Sequence, residues 1–237
     1  MRSLARLAGI VRFAGGIAAL AMLAACSSST GPAASRNNPG TGTITLKVTA
    51  DIDANDDPTV VGGFVTEYTA SLRDGVGNKV SGATVTMSNP NVGTFTLPET
   101  GVGSGDYFIS DNRFPSGDFT LNVVRGTDNV QNVVLGGPAV HTITAPVKNA
   151  TVPANQPLTV RWTVPSQAAQ AEVETLNFPN TALPDTGAYV IPGASNPPRP
   201  DQRIRVFRSN EVNIAGGLSG SRLRVQVRNT VQPVIVQ

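Results

Sequence analysis

The chain of 237 residues has one cysteine, one histidine and one tryptophan, and each scarcity removes a class of function. A single cysteine cannot form a disulfide within the chain. A single histidine, His141, leaves hydrolases and transferases without their usual base and leaves no His/Cys spacing for a transition metal. Neither a GxSxG elbow nor a glycine-rich phosphate loop occurs, and no two acids are set apart as an acid–base pair. No enzyme is expected, and no cofactor beyond a calcium ion considered below. Aromatics are 5% of the residues, too few to interleave with basic strands as single-stranded nucleic acid binding requires. Strong helix formers are also scarce, with three lysines in the whole chain.

What is present begins with residues 1–25, "MRSLARLAGIVRFAGGIAALAMLAA". Arg2, Arg6 and Arg12 precede an apolar run from Phe13 to Ala25, with small residues directly before Cys26, which is the three-part pattern of a secretory signal. The rival reading is a membrane-spanning helix, but the run is shorter than the roughly 20 residues a hydrocarbon core demands. Leu23, Ala24, Ala25 and Cys26 resemble the lipobox of bacterial lipoproteins. That resemblance implies a signal peptide over 1–25, diacylglycerol and palmitate-class acylation at Cys26, and a mature chain held to the cell envelope by lipid. Ser27, in place of Asp, resembles lipoproteins forwarded to the outer membrane. A free thiol in an oxidising compartment would otherwise be an odd residue to keep, and two or more acyl chains are what stable anchoring takes.

Residues 26–41 read as a flexible tether, since Ser, Gly, Pro, Asn and Ala supply nothing for a core. A coil of that length spans roughly 20 to 23 Å on average. Past the tether, Gly, Pro, Val and Thr dominate, so the fold class expected is all-β, as two sandwiches over 42–137 and 138–237. The first half is acidic, with 5 basic and 11 acidic side chains over 41–137, and the second basic, with 9 and 5 over 138–237. Opposite signs suggest either two domains with different partners or halves that attract each other.

Seven stretches of strand-like alternation fill the first half, from "TITLKVTA" to "NVQNVVLG", separated by "DGVGN", "NPN", "GVGSG" and "PSG". In "FVTEYTASLRD" the set Phe64, Thr66, Tyr68, Ala70 and Leu72 is expected to face the core. Residues 68–87, "YTASLRDGVGNKVSGATVTM", and later "FPSGDFTLNV" resemble the bacterial immunoglobulin-like repeats of invasin-type surface proteins. In the second half "PLTVRWTVP" resembles the opening of fibronectin-III-like sandwiches, which implies that Trp162 lies in the core; Val160, Trp162 and Val164 alternate accordingly. The loop 192–201 is too rich in proline to pair inside a sheet.

Two clusters are candidates for binding. Asp51, Asp53, Asn55 and Asp57 occupy alternate positions, like the start of a calcium loop. Asp56 stands where an EF-hand needs Gly, and Gly62 where it needs Glu, so a looser inter-strand calcium site remains, beside the alternative of a solvated turn. The second cluster is basic: Arg203 and Arg205 on one expected strand, Arg222, Arg224 and Arg228 on another. If those strands pair, five guanidinium groups line one side of a sheet, with Arg161 a candidate neighbour, and could hold phosphate or carboxylate bidentately. Lipopolysaccharide phosphates, an acidic polysaccharide or the acidic half of another copy are the anionic glycan and protein partners considered. The alternative is a face solubilised by arginine. The function expected is non-catalytic, with adhesion, surface structure or protein and glycan contact carried by immunoglobulin-like modules. The second reading is an accessory binding subunit of an envelope transport or carbohydrate-active complex.

Overall fold

A computed structural model describes residues 37–237, Pro115 excepted. The expected signal segment, Cys26 and the tether up to residue 36 lie outside the described residues. The first eight strands are β1 (Asn38–Thr43), β2 (Lys47–Asp56), β3 (Phe64–Arg73), β4 (Thr84–Asn89), β5 (Gly93–Leu97), β6 (Asp106–Asp111), β7 (Asp118–Arg125) and β8 (Asp128–Gly136). The next six are β9 (Ile143–Ala145), β10 (Thr151–Val152), β11 (Leu158–Trp162), β12 (Gln170–Thr175), β13 (Thr181–Leu183) and β14 (Ala188–Ile191). Two long strands close the chain, β15 (Arg199–Asn213) and β16 (Arg222–Val236). Among the described residues the sole helical element is one short 3-10 turn, Gly193–Ser195.

The fold is all-β, two sandwiches built on one shared sheet. That sheet runs β13-β12-β15-β16-β2-β3-β6, with β10 beside the end of β16. A five-stranded sheet, β1-β8-β7-β4-β5, and a three-stranded one, β14-β11-β9, complete it. Val48, Ile52, Tyr68 and Leu72 of the shared sheet belong to one core with Met87, Phe119, Leu121 and Leu135 of the five-stranded sheet. Val160, Trp162 and Ile191 of the three-stranded sheet belong to a second with Val173, Ile204 and Val206. β16 serves both: Leu223 and Val225 lie in the first core and Val234 in the second.

Local chemistry explains most elements. On β3 the residues Thr66, Tyr68, Ala70 and Leu72 are buried and Phe64 is half-buried, as period-two alternation requires. Asp74 closes the following turn, its side chain accepting from the Val76 and Asn78 N–H groups at 2.9 and 2.8 Å. Gly105 has φ +60°, and a Cβ there would stand 2.7 Å from the Val80 nitrogen, so only glycine fits this approach of backbones.

Five expectations need correction. The loop expected over 192–201 is strand from Arg199, which opens β15 opposite Val236, because only Pro200 of its prolines falls in the paired part. Residues 38–41, assigned to the tether, belong to β1, paired antiparallel with β8 from Asn38↔Val134 to Thr43↔Asn129. Asp51 to Asp56 form the second half of β2 rather than a turn; their charges are neutralised from a neighbouring strand. Arg161 lies on β11 in the three-stranded sheet, apart from the other arginines. Val164 falls beyond the end of β11 and is exposed, whereas Val160 and Trp162 are buried.

At the seam between the cores the inner face of β15 turns polar. Arg208, fully buried, donates from Nε to both oxygens of Asp185 at 3.0 and 3.1 Å and from Nη2 at 2.6 Å. Its remaining donors reach the carbonyls of Ala139 and Ser166. Asp185 also accepts from Trp162 Nε1 and from the Ala168 N–H. Burial would raise this carboxyl, but Arg208 and those N–H donors more than offset it and hold it below its ordinary value.

Candidate functional site: the charged face of the shared sheet

β15 and β16 pair antiparallel, with Arg205 opposite Thr230 and Phe207 opposite Arg228. β16 then pairs parallel with β2, placing Arg224 beside Asp51 and Arg228 beside Asn55. Residues opposite one another share a face, so all five arginines lie on the outer face together with the acids of β2. The acidic and basic halves of the sequence meet along this one strand pair.

Here the two candidate clusters largely satisfy each other. Arg222 donates to Asp51 at 2.8 Å and to Glu211 at 3.4 Å. Arg224 donates from Nε to Asp51 at 2.7 Å and from Nη2 to Asp53 at 3.3 Å. Such half-buried, shared pairs are geometrically better than isolated surface pairs and are worth on the order of 1 kcal/mol each. Burial is the main reason the Asp53 carboxyl sits above its ordinary value; Arg224 opposes it, and Asp51 and Glu67 add to it. Of the remaining residues in the calcium pattern, Asn55 faces Arg228 across the strand pair, and Asp57 lies past the end of β2, accepting from the Thr59 N–H and hydroxyl. The four do not converge, and among the described residues no three of His, Cys, Asp and Glu gather as a metal site.

Arg203, Arg205 and Arg228 are placed differently. They line a cleft of about 740 Å³ together with Lys148. Arg203 and Arg205 share one carboxylate, Glu174, at 3.4 and 3.6 Å. Arg228 reaches Asp56 at 3.3 Å, and that carboxylate also takes the Thr230 N–H and hydroxyl, both at 2.8 Å. The Nε atoms of Arg203 and Arg205 are buried with no hydrogen-bond partner among the described residues. Burial, then the like charges of Arg203 and Arg228, push the Arg205 guanidinium below its ordinary value.

Three pieces of backbone build the cleft. Its floor is the β15–β16 pair where the register shifts: Gln202 faces Val234 and Ile204 faces Val231, leaving Gln232 and Pro233 against Arg203 alone. Proline has no N–H for the ladder, and such bulges re-aim side chains. The Pro233 carbonyl accepts instead from the Asn149 N–H at 2.7 Å, and the Ile235 N–H donates to Ala150 at 2.8 Å. These two bonds hold the 147–150 turn, and with it exposed Lys148, against the cleft. The opposite wall is the turn after β2, closed by the Asp57 N–H donating to Gly63 at 2.9 Å. Sequence singles out Asp56 only as the residue that breaks an EF-hand, and Lys148 not at all; a lone lysine in a turn carries no periodic signal, and its place arises from bonds to a strand more than 80 residues on.

His141 lies just before β9. Its Nε2 is 3.1 Å from the Val206 carbonyl, to which it donates, and its buried Nδ1 has no partner among the described residues. Burial first, then Arg208, push its pKa down to about 4. A histidine so enclosed serves the seam, not a reaction.

Among the described residues no helix is long and apolar enough to cross a membrane. No family model matches the chain, and no curated protein matches it. Among solved structures it is similar to the fibronectin(III)-like modules of Clostridium thermocellum CbhA, at 13% identity and TM-score 0.31 over 80% of this chain and 94% of that one. It is also similar to the Yersinia pseudotuberculosis adhesin InvE, at 16% identity and TM-score 0.26 over 79% and 60%, and to the BSP domain of a biofilm associated protein, at 17% and 0.26 over 79% and 29%. Likeness at this level makes no case for shared function, and the sandwich assignment rests on the chain's own sheets and cores.

Proposed function

We propose that this is a non-catalytic lipoprotein of the bacterial cell envelope, anchored through acylated Cys26 and directed to the outer membrane. Its immunoglobulin-like body works by contact, in adhesion or surface structure. The observation that carries the reading is Leu23-Ala24-Ala25-Cys26 at the end of a charged-then-apolar segment, followed by a stretch without core residues and then by an all-β body. Anchor, spacer and module in that order make a device for holding a rigid surface near a bilayer. Mass spectrometry of protein from the native host tests it. The amino-terminal peptide is expected to begin at Cys26 and carry diacylglycerol, and fed radiolabelled palmitate is expected to enter the wild type but not Cys26→Ser. A mature protein that retains residues 1–25, or that takes up no label, defeats the proposal.

A second reading, an accessory binding subunit of an envelope transport or carbohydrate-active complex, is favoured by one observation: the basic cleft, which a purely structural module does not need. Cross-linking in intact cells separates the two by what is captured, a neighbouring surface protein or a component of such a complex.

A further inference from the structure

We propose that the cleft on the outer face of the shared sheet binds a phosphomonoester, with Arg203, Arg205, Arg228 and Lys148 as its donors. The inference deepens the accessory-binding reading and rests on it, but it is independent of the lipid anchor.

Charge is the first argument. Among the described residues the four cations have two carboxylates within ion-pair reach, Glu174 and Asp56, with Asp57 near Arg228 at longer range, and Lys148 has none. Further along the same face, Arg222 and Arg224 share three, Asp51, Asp53 and Glu211. The sheet is thus compensated at one end and left with a surplus of positive charge at the other. A phosphomonoester, at about −1.5 to −2 near neutral pH, meets that surplus with more charge than a carboxylate or sulfate ester, each with one.

The second argument is unused hydrogen-bonding capacity. Native proteins rarely leave a buried donor without a partner, yet two guanidinium Nε–H groups on alternate residues of one strand are in that state, beside long contacts of 3.4 and 3.6 Å to a single acceptor. Forked guanidinium groups suit an acceptor with three oxygens. Size is the third argument: about 740 Å³ falls within the range of small-molecule sites and leaves room for the organic group esterified to the phosphate. Among the described residues no aromatic ring lines the cleft, so recognition is by charge and hydrogen bonding rather than by stacking on a sugar.

The phosphomonoester has two sources, a free metabolite or a lipid headgroup, and the test separates them. The native lipidated chain in non-ionic detergent is titrated calorimetrically with inorganic phosphate, glucose 6-phosphate and short-chain phosphatidic acid, and with the singly charged glucose 6-sulfate and short-chain phosphatidylcholine as controls. Saturable binding of at least one phosphomonoester is expected, at least tenfold tighter than either control. Preference for glucose 6-phosphate marks a free ligand; preference for phosphatidic acid marks a headgroup. Arg205→Gln and Lys148→Gln are each expected to weaken binding at least tenfold, and Arg224→Gln by less than threefold, with far-UV circular dichroism confirming that each variant is folded. Because Lys148 is exposed, its variant keeps the test decisive even if Arg205→Gln misfolds. Cys26→Ser is expected to bind as the wild type does, so loss of the anchor and loss of the cleft read separately. Absence of saturable phosphomonoester binding, glucose 6-sulfate binding as tight as glucose 6-phosphate, or an Arg224→Gln loss as large as that of Lys148→Gln overturns the proposal.

Discussion

Arg208 and Asp185 meet where two apolar cores would otherwise be continuous, and both side chains are fully buried. A guanidinium withdrawn from water and then robbed of its partner is among the most destabilising changes available to a protein, about 3 to 5 kcal/mol. Asp185→Asn, which keeps the shape and removes the charge, is expected to cost that much in urea unfolding. Replacing both partners with apolar residues often restores stability elsewhere. Here Arg208→Met with Asp185→Leu is not expected to do so, since the Trp162 Nε1–H and Ala168 N–H lose their acceptor and the Ala139 and Ser166 carbonyls lose a donor. His141 adds a pH dependence. Its folded pKa of about 4 lies below the ordinary 6.5, so between those values the unfolded chain binds the additional proton and stability rises with pH. Acidification from about pH 6.5 to 4 is therefore expected to remove on the order of 3 kcal/mol, and His141→Gln to flatten that slope. The loss from Asp185, whose pKa is depressed below 3.8, belongs to lower pH.

Strands whose two faces differ cleanly, such as β3, β7 and β11, could be found from their alternation alone. β15 and β16 are legible only around Arg203–Arg205 and Arg222–Arg228. Both extend to 15 residues, because their continuations carry Ser209, Asn210, Asn229 and Thr230, polar residues that end a hydrophobic pattern without ending a strand. The run Asp51–Asp56 reads as a calcium site or a solvated turn, because adjacent carboxylates repel. It becomes a strand because β16 sets Arg222 and Arg224 against it from 171 to 173 residues away, a pairing to which no local pattern points. The composition did hint at it, through halves of opposite sign. At this scale β2 depends on β16. A fragment ending at Gly137 lacks Ile214, Leu223 and Val225 from the first core, each worth about 1.5 to 3 kcal/mol when fully buried, out of a typical net stability of 5 to 15. It also leaves one edge of β2 unpaired. Such a fragment is expected to show the narrow amide dispersion of an unfolded chain by NMR and rapid proteolysis, and a well-dispersed spectrum would show that the first sandwich stands alone.

For the molecule as a whole, tandem modules are usually pictured as beads whose orientation is set by a linker. Here two strands of 15 residues pass through both cores, and the cleft forms beside the seam, from a turn of the first sandwich and a turn of the second. A site assembled this way depends on the register of one strand pair more than on any single loop. The parallel contact between β2 and β16 also has a bearing on time. β2 has β3 beside it early but gains its other neighbour only after β16 has been synthesised, and until then the first core lacks Leu223 and Val225. Closing so long a loop adds little thermodynamic penalty, but distant pairings are slow to form. The interval before the carboxyl terminus arrives is when the newborn polypeptide has most need of a chaperone.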